Sequence, residues 1–68
     1  MIQFNLNGEY IELYKLLKAT GLSETGGQAG QLIGQGLVKV DGDIERRKGR
    51  KIHRGQKVEF RGEVIDIR

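Results

Sequence analysis

The chain opens on an alternating pattern of apolar and polar residues and then changes to a helical pattern. Apolar residues at positions 2, 4 and 6 alternate with polar ones, which is typical of a half-buried strand. After Glu9 the apolar residues recur three and four positions apart, namely Tyr10, Leu13, Tyr14 and Leu17. This spacing predicts an amphipathic helix over residues 9–20, with both tyrosines on its buried face and Gly21 after its end. Two glutamates would lie in its first turn and two lysines towards its end, as the helix dipole favours.

A second helix is predicted between Thr25 and Gly36. Thr25 is followed three residues later by Gln28, which matches a capping box. Ala29, Leu32 and Ile33 then keep a helical spacing. Four glycines lie inside the segment, and each lowers helix stability by about 1 kcal/mol relative to alanine. The capping residues and the helical spacing therefore favour a helix, although the low helix propensity of the glycines opposes it.

Three of these glycines fall on one side of the predicted helix. Gly26, Gly30 and Gly34 form a bare strip, and glutamines line the opposite side. The strip favours close packing against the first helix or a strand. The alternative is close approach of a nucleic-acid backbone, with the glutamines donating hydrogen bonds.

The rest of the chain predicts two hairpins separated by an irregular basic loop. Asp41-Gly42 separates two short strands and suits the positive φ of a type I′ turn. Arg61-Gly62 separates two further strands in the same way. The predicted order is β, α, α, β, β, loop, β, β. We therefore predict a single domain over residues 1–68 of the α+β class, with two helices packed on a small, mostly antiparallel β-sheet.

Length and composition narrow the range of functions. The chain has 68 residues, 37% of them hydrophobic, which is enough for one small core. It has no cysteine, so disulfides and thiolate metal sites are excluded. No apolar run approaches the length of a membrane span, and the chain does not start like a signal peptide. We expect a cytoplasmic protein that does not insert into membranes.

Residue patterns that support catalysis are absent from the sequence. His53, the one histidine, lies among cations, and no serine or threonine has a base and an orienting acid near it. Asp41 and Asp43 flank a turn glycine and are interpreted as turn residues. No phosphate-binding loop or dinucleotide motif occurs. We predict that the chain is not an enzyme and uses no metal or cofactor.

The net charge of +3 is unevenly distributed along the chain. Residues 1–38 hold two basic and three acidic side chains, a net −1, whereas residues 39–68 hold ten and six, a net +4. Residues 46–57, called the basic loop below, carry seven cations and no acid. Such a cluster favours a polyanionic partner, because cations that meet phosphates release condensed counterions. A merely solvated loop is the alternative.

Among polyanions, the pattern favours structured RNA. Neither predicted helix presents a basic, amide-rich end suited to a DNA major groove, and no exposed aromatic residues are spaced to stack on bases. The mode of binding that is left is recognition of the RNA backbone and of RNA shape. Phosphate contacts are expected from the cations of the loop: Arg46, Arg47, Lys48, Arg50 and Lys51, extended by Arg54 and Lys57. Neutral hydrogen bonds are expected from Thr25, Gln28 and Gln31.

Two other kinds of partner stay open at this point. The loop could dock an acidic protein surface, for instance as an accessory protein of ribosome assembly. It could also bind double-stranded DNA.

Two stretches of the sequence match a known domain pattern. Residues 21–42 follow G-L-x-x-S-R-x-x-A-x-x-L-I-x-x-G-x-V-x-V-N-G without a gap in spacing, and residues 51–60 match its closing strand. Over about residues 10–60 the chain resembles the S-four (S4, alpha-L) RNA-binding domain, in particular small stand-alone bacterial members. The resemblance implies a ribosome-associated protein whose partner is ribosomal RNA, a ribosomal particle or transfer RNA. It also places Thr25 and Gln28 at the contact edge, with Lys39 and the Asp41-Gly42 turn near it. We expect the chain to act as a monomer.

Three positions depart from the family pattern. The arginine expected at the start of the first helix falls on Glu12, and the aspartate two residues later falls on Tyr14. The arginine expected after the second helix cap falls on Gly26. We therefore expect RNA contacts from the basic loop rather than from the helices.

Overall fold

The computed structural model describes residues 1–68 as two helices, a five-stranded sheet and a two-stranded sheet. The strands are β1 (Ile2–Phe4), β2 (Ile11–Glu12), β3 (Val38–Val40), β4 (Asp43–Ile44), β5 (Lys51–Ile52), β6 (Lys57–Phe60) and β7 (Glu63–Ile67), and the helices are α1 (Leu13–Ala19) and α2 (Gly26–Gly34). The larger sheet has the order β1-β7-β6-β3-β4, and the smaller pairs β2 with β5. Only β1 and β7 run parallel. The predicted α+β fold with a mostly antiparallel sheet is confirmed.

One face of the larger sheet packs against both helices. Strand alternation sends every second side chain to this face. The core contains 13 buried residues: Leu6, Leu13, Leu16, Leu17, Ala29, Ile33, Val38, Val40, Ile52, Val58, Phe60, Ile65 and Ile67. Ile52 comes from the basic loop, so the loop is anchored in the same core as the helices.

Helix α1 begins at Leu13, later than the predicted start at Glu9. Ile11 and Glu12 instead form β2, which pairs with β5 of the basic loop. The predicted acidic first turn is therefore wrong, and α1 keeps only Lys18 as a charge in its last turn. Local periodicity could not reveal this, because the pairing partner lies far along the chain. Neither helix is long and apolar enough to cross a membrane.

Helix α2 begins after the predicted cap. Thr25 Oγ1 accepts a hydrogen bond from the main-chain N–H of Gln28 at 3.0 Å. Gln28 Oε1 in turn accepts from the main-chain N–H of Glu24 at 2.8 Å. The first bond satisfies a donor that a helix start otherwise leaves free, and the second fixes the residue before the cap, which helps to offset the low helix propensity of the glycines.

The glycine strip of α2 has a different neighbour at each position. A Cβ at Gly26 would lie 3.3 Å from the ring of Tyr14 in α1, so close packing of the two helices is confirmed there. A Cβ at Gly30 would lie 3.3 Å from Cδ of Lys48, so this glycine makes room for the stem of a loop lysine. At Gly34 nothing lies within 4 Å of the added carbon.

Two glycines near the end of α2 offer a matched pair of substitutions. Gly34→Ala is expected to raise the free energy of unfolding by about 0.5–1 kcal/mol, because the position is helical and open. Gly36→Ala is expected to lower it by about 1–2 kcal/mol. Gly36 has a φ of +79°, and an added Cβ would lie 2.9 Å from the guanidinium of Arg46. Urea unfolding of both variants measures the effects, and equal changes of the same sign would contradict this description of the helix end.

Both predicted hairpin turns are present. Asp41 and Gly42 have φ values of +50° and +87°, and Arg61 and Gly62 have +51° and +79°. Two successive residues with positive φ are what a type I′ turn requires. The first turn matters for the site, because Asp41 also contacts the basic loop.

Candidate nucleic-acid interface

The basic loop is a fixed part of the fold and not the irregular segment predicted from the sequence. It contains β5, which pairs with β2, and its Ile52 is fully buried. The first main-chain N–H groups of α1 donate to loop carbonyls, from Leu13 to Arg50 at 2.9 Å and from Tyr14 to Lys48 at 3.0 Å. The loop thus caps α1, and the helix start holds the loop in place.

A buried glutamate next to the loop organises two of its arginines. The side chain of Glu45 is only 8% exposed, and its Oε2 accepts hydrogen bonds from the main-chain N–H and from Nε of Arg47, both at 3.0 Å. Its Oε1 accepts from Nη2 of Arg47 at 3.1 Å and from Nη1 of Arg50 at 2.6 Å. These bonds, first of all those from the Arg47 side chain, lower the pKa of Glu45 to about 2.

Glu45 corrects one inference drawn from the sequence. The basic loop was expected to lack acidic compensation, but the residue just before it pairs with Arg47 and Arg50. The pairing also fixes both guanidinium groups. It raises the pKa of Arg47, chiefly through the hydrogen bonds to Glu45. The side chain of Arg47 stays 75% exposed, so the group remains available to a partner.

Two further arginines of the loop bind main-chain carbonyls. Arg46 donates from Nη1 to the carbonyl of Gly34, at the end of α2, at 3.3 Å. Arg54 donates to the carbonyls of Gly8 and Leu6 at 2.7 and 2.6 Å. Arg46 therefore connects the loop to α2, and Arg54 connects it to the segment after β1.

Lys48 and Lys51 are loop cations whose ammonium groups have no protein anion, and the third loop lysine, Lys57, has none either but belongs to β6 of the larger sheet. Neither Lys48 nor Lys51 takes part in any of the four salt bridges of the structure, and both side chains are exposed. The stem of Lys48 lies against Gly30, and Nζ of Lys51 lies 4.9 Å from the centre of the Tyr10 ring. Exposure without a paired protein anion leaves these charges free to bind a phosphate.

A carboxylate from the first hairpin fixes the far end of the loop. Asp41 accepts from the main-chain N–H of Lys57 and from Nε2 of Gln56, both at 2.9 Å. Gln56 Oε1 accepts from the main-chain N–H of His53 at 2.8 Å. The two hydrogen bonds that Asp41 accepts, first of all the one from the main-chain N–H of Lys57, lower the pKa of Asp41. Asp41 therefore does more than form a turn, because it connects the hairpin to the loop.

These contacts shape an open, polar basin on the surface of the loop. The basin has a volume of about 670 Å³, and its lining has neither an apolar nor an acidic residue: Arg47, Gly49, Arg50, Lys51, His53 and Gln56. No group of three or more His, Asp or Glu residues is placed to hold a metal ion. The basin can attract and hydrogen-bond an anion.

The other predicted site residues lie away from the basin. Lys39 and Lys57 are on the outer face of the larger sheet, paired in register with Glu59 and Asp66. Thr25 and Gln28 are used in capping α2, although both remain exposed, as does Gln31. The structure therefore brings together Arg47, Arg50 and Lys51 in the lining of the basin, with Lys48 in the same loop, whereas neither the helix cap nor the sheet lysines line it.

Sequence reasoning missed several residues of this surface. Glu45 was overlooked although it is the acid next to the cation cluster. Tyr10 was assigned to the core because it fits the helical spacing of α1, yet it is 43% exposed. His53 and Gly49 carried no signal of their own in the sequence, because their place in the basin depends on the pairing of β5 with β2.

The family of the chain follows from a match to a family model. The model describes an S4 domain and covers residues 4–68. The chain belongs to the S4 domain family, as the motif order predicted. The match extends on both sides of the range that carried the resemblance, and so includes β7 and the last residue of β1.

Named relatives and a solved structure agree with this membership. A protein of Escherichia coli (strain K12) named "Putative RNA-binding protein YbcJ" is 48% identical over 58 residues, which is 85% of this chain and 83% of that protein. YbcJ of Shigella flexneri has the same identity and coverage. The solution structure of E. coli YbcJ, described as revealing an alpha-L motif involved in RNA binding, superposes with a TM-score of 0.75 at 46% identity. The superposition covers 98% of this chain and 86% of the YbcJ chain.

Proposed function

We propose that this chain is a non-catalytic RNA-binding protein that recognises structured RNA by backbone and shape contacts from the basic loop. The observation that carries the proposal is the acid-free basin, lined by cations, on a chain of the S4 domain family. The similarity to YbcJ supports it, because that protein is named "Putative RNA-binding protein" and its alpha-L motif is described as involved in RNA binding.

The way the cations are held supports backbone recognition. Glu45 fixes Arg47 and Arg50, so these guanidinium groups lose little conformational entropy when they meet a phosphate. Guanidinium groups can bind two phosphate oxygens at once, whereas Lys48 and Lys51 act as mobile point charges. Contacts of this kind go to phosphate oxygens, which every nucleotide carries, so they favour RNA shape over sequence.

Within this function we propose ribosomal RNA, a ribosomal particle or transfer RNA as the partner, bound by a monomer in the bacterial cytoplasm. The family resemblance implies these partners, and the relatives in two enteric bacteria support the bacterial setting. Crosslinking in cells, followed by sequencing of the bound RNA, identifies the partner. Enrichment of messenger RNA alone would contradict this choice.

Direct titration tests the proposed function. A folded RNA hairpin is expected to bind the chain with an affinity that falls linearly on a plot of log K against log salt, because bound phosphates release counterions. Duplex DNA of equal length and polyglutamate serve as competitors and should displace the RNA poorly. Equal displacement by DNA would contradict recognition of RNA shape. Partners from a cell extract that survive complete nuclease digestion would favour the protein-docking alternative.

A further inference from the structure

An exposed aromatic pair lies beside the basin. Tyr10 is 43% exposed, and His53 is exposed as well. Their ring centres are 6.1 Å apart, and the ring planes are inclined by 51°. His53 also lines the basin, so the pair stands at its edge.

Strand pairing sets the position of this pair. The antiparallel register of the smaller sheet matches Ile11 with Ile52, and one further step along both strands places Tyr10 opposite His53. Side chains alternate along a strand, and Ile52 is fully buried, so its neighbours point outwards. The two rings therefore project from the same outer side of a paired segment that is anchored in the core.

A cationic side chain lies next to the rings of Tyr10 and His53. Nζ of Lys51 lies 4.9 Å from the centre of the Tyr10 ring and belongs to a residue that also lines the basin. The carboxylate nearest in the strand, that of Glu12, is bound by Lys15 at 3.2 Å, and this contact raises the pKa of Lys15. An exposed ring next to a phosphate-binding groove is the arrangement by which proteins stack on unpaired bases.

Contacts within the chain do not account for an aromatic residue at position 10. An exposed cation–π contact contributes only about 0.5–1 kcal/mol. The ring of Tyr10 does not belong to the buried core cluster or to the residues packed against it. A ligand that covers the exposed ring would explain both its position and its chemistry.

We propose that Tyr10 and His53 form a stacking site for one unpaired base of the bound RNA, with Lys51 contacting a neighbouring phosphate. The ligand class is RNA in which a bulged or loop nucleotide adjoins a helix. Stacking uses the π face that all bases share, so the site selects an unpaired nucleotide without selecting its identity. This inference rests on the proposed function, since the basin must hold the RNA for the base to reach the ring.

Two RNA hairpins that differ by a single bulged nucleotide test the stacking site. The bulged nucleotide is 2-aminopurine, whose fluorescence falls when it stacks. The chain is expected to bind the bulged hairpin about 5- to 100-fold more tightly than the continuous one, with a drop in fluorescence on binding. Equal affinity for both hairpins and unchanged fluorescence would overturn the stacking site while the proposed function stands. Binding of neither hairpin would overturn both.

Variants of Tyr10 test whether the preference for the bulged hairpin depends on its aromatic ring. Tyr10→Leu is expected to abolish the preference and the fluorescence change while the affinity for the continuous hairpin stays the same, and Tyr10→Phe is expected to keep both. Leu37→Ala is the control, because Leu37 is 45% exposed at a position away from the basin. An unchanged unfolding midpoint shows that Tyr10→Leu is folded. If the folded Tyr10→Leu variant keeps the preference, the assignment to Tyr10 is wrong.

Discussion

Replacing Lys48 and Lys51 together by glutamine is expected to lower the affinity for a folded RNA about 25- to 60-fold at roughly 0.1 M salt. The two ammonium groups have no protein anion, so a bound phosphate is the only counter-charge that they would lose. Each phosphate contact contributes about 0.7–0.9 to the slope of log K against log salt, so the slope should flatten by about 1.4–1.8. Titrations at several salt concentrations measure both quantities.

A control variant with the same net charge distinguishes the effect of losing local phosphate contacts from the effect of lowering the net charge. Lys18→Gln combined with Arg61→Gln removes the same two charges, one from the last turn of α1 and one from the β6–β7 turn. This variant should keep the wild-type slope. If both variants flatten the slope equally, the RNA responds to overall charge, and the basic loop is not the contact surface. The unfolding midpoint of each variant should remain close to that of the wild type, because all four side chains are exposed.

Glu45→Gln is expected to lower the free energy of unfolding at neutral pH by about 2 kcal/mol. The carboxylate accepts hydrogen bonds from two guanidinium groups, and an amide keeps neither the charge nor the second acceptor oxygen. A chain of this length has about 3–10 kcal/mol of stability in total, so the loss would be a large fraction. Denaturant unfolding at pH 7 measures it.

The same variant should change the dependence of stability on acid. The folded state lowers the pKa of Glu45 from its usual 4.5 to about 2, so the charged carboxylate stabilises the fold fully above pH 4.5. That contribution is lost progressively as the pH falls from 4.5 to about 2. Glu45→Gln should therefore differ most from the wild type near neutral pH and least near pH 2.

Glu63→Gln provides the matched control for this experiment. Glu63 is exposed in β7 and takes part in no salt bridge. Its variant should follow the wild-type curve throughout the acid range. A gap between wild type and Glu45→Gln that stays constant down to pH 2 would contradict the assignment of the lowered pKa to this carboxylate.

The stability and binding effects of Glu45 should be linked. Without the carboxylate, Arg47 and Arg50 keep their charges but lose the bonds that fix them. Counterion release depends on charge, whereas the entropy lost on binding depends on how far the side chains are fixed beforehand. Because Glu45→Gln also removes the charge that neutralises Arg47 and Arg50, the salt slope should steepen, whereas the lost fixation of the two side chains should lower the affinity at high salt, where counterion release contributes little.

Local patterns in the sequence identified most elements of the fold. The alternation around Asp41-Gly42 and Arg61-Gly62 predicted both hairpins, since turn chemistry and strand period are properties of neighbouring residues. The cap at Thr25 predicted the start of α2 despite its glycines, and the structure shows the capping bond. The cation cluster and the motif order pointed to the S4 domain family.

Only the tertiary structure decided how these elements combine into a surface. The pairing of β2 with β5 shortened α1, exposed Tyr10 and placed it opposite His53, and no local period encodes a contact between segments so distant in the chain. The buried carboxylate of Glu45 likewise fixes Arg47 and Arg50, two of the seven cations of the basic loop. By itself the sequence determined which charges are present and predicted both helices and both hairpins, but not the pairing of β2 with β5. Which cations are tethered and which are free depends on long-range packing, because a hydrogen bond or a buried carboxylate acts only on the groups that the fold brings within reach.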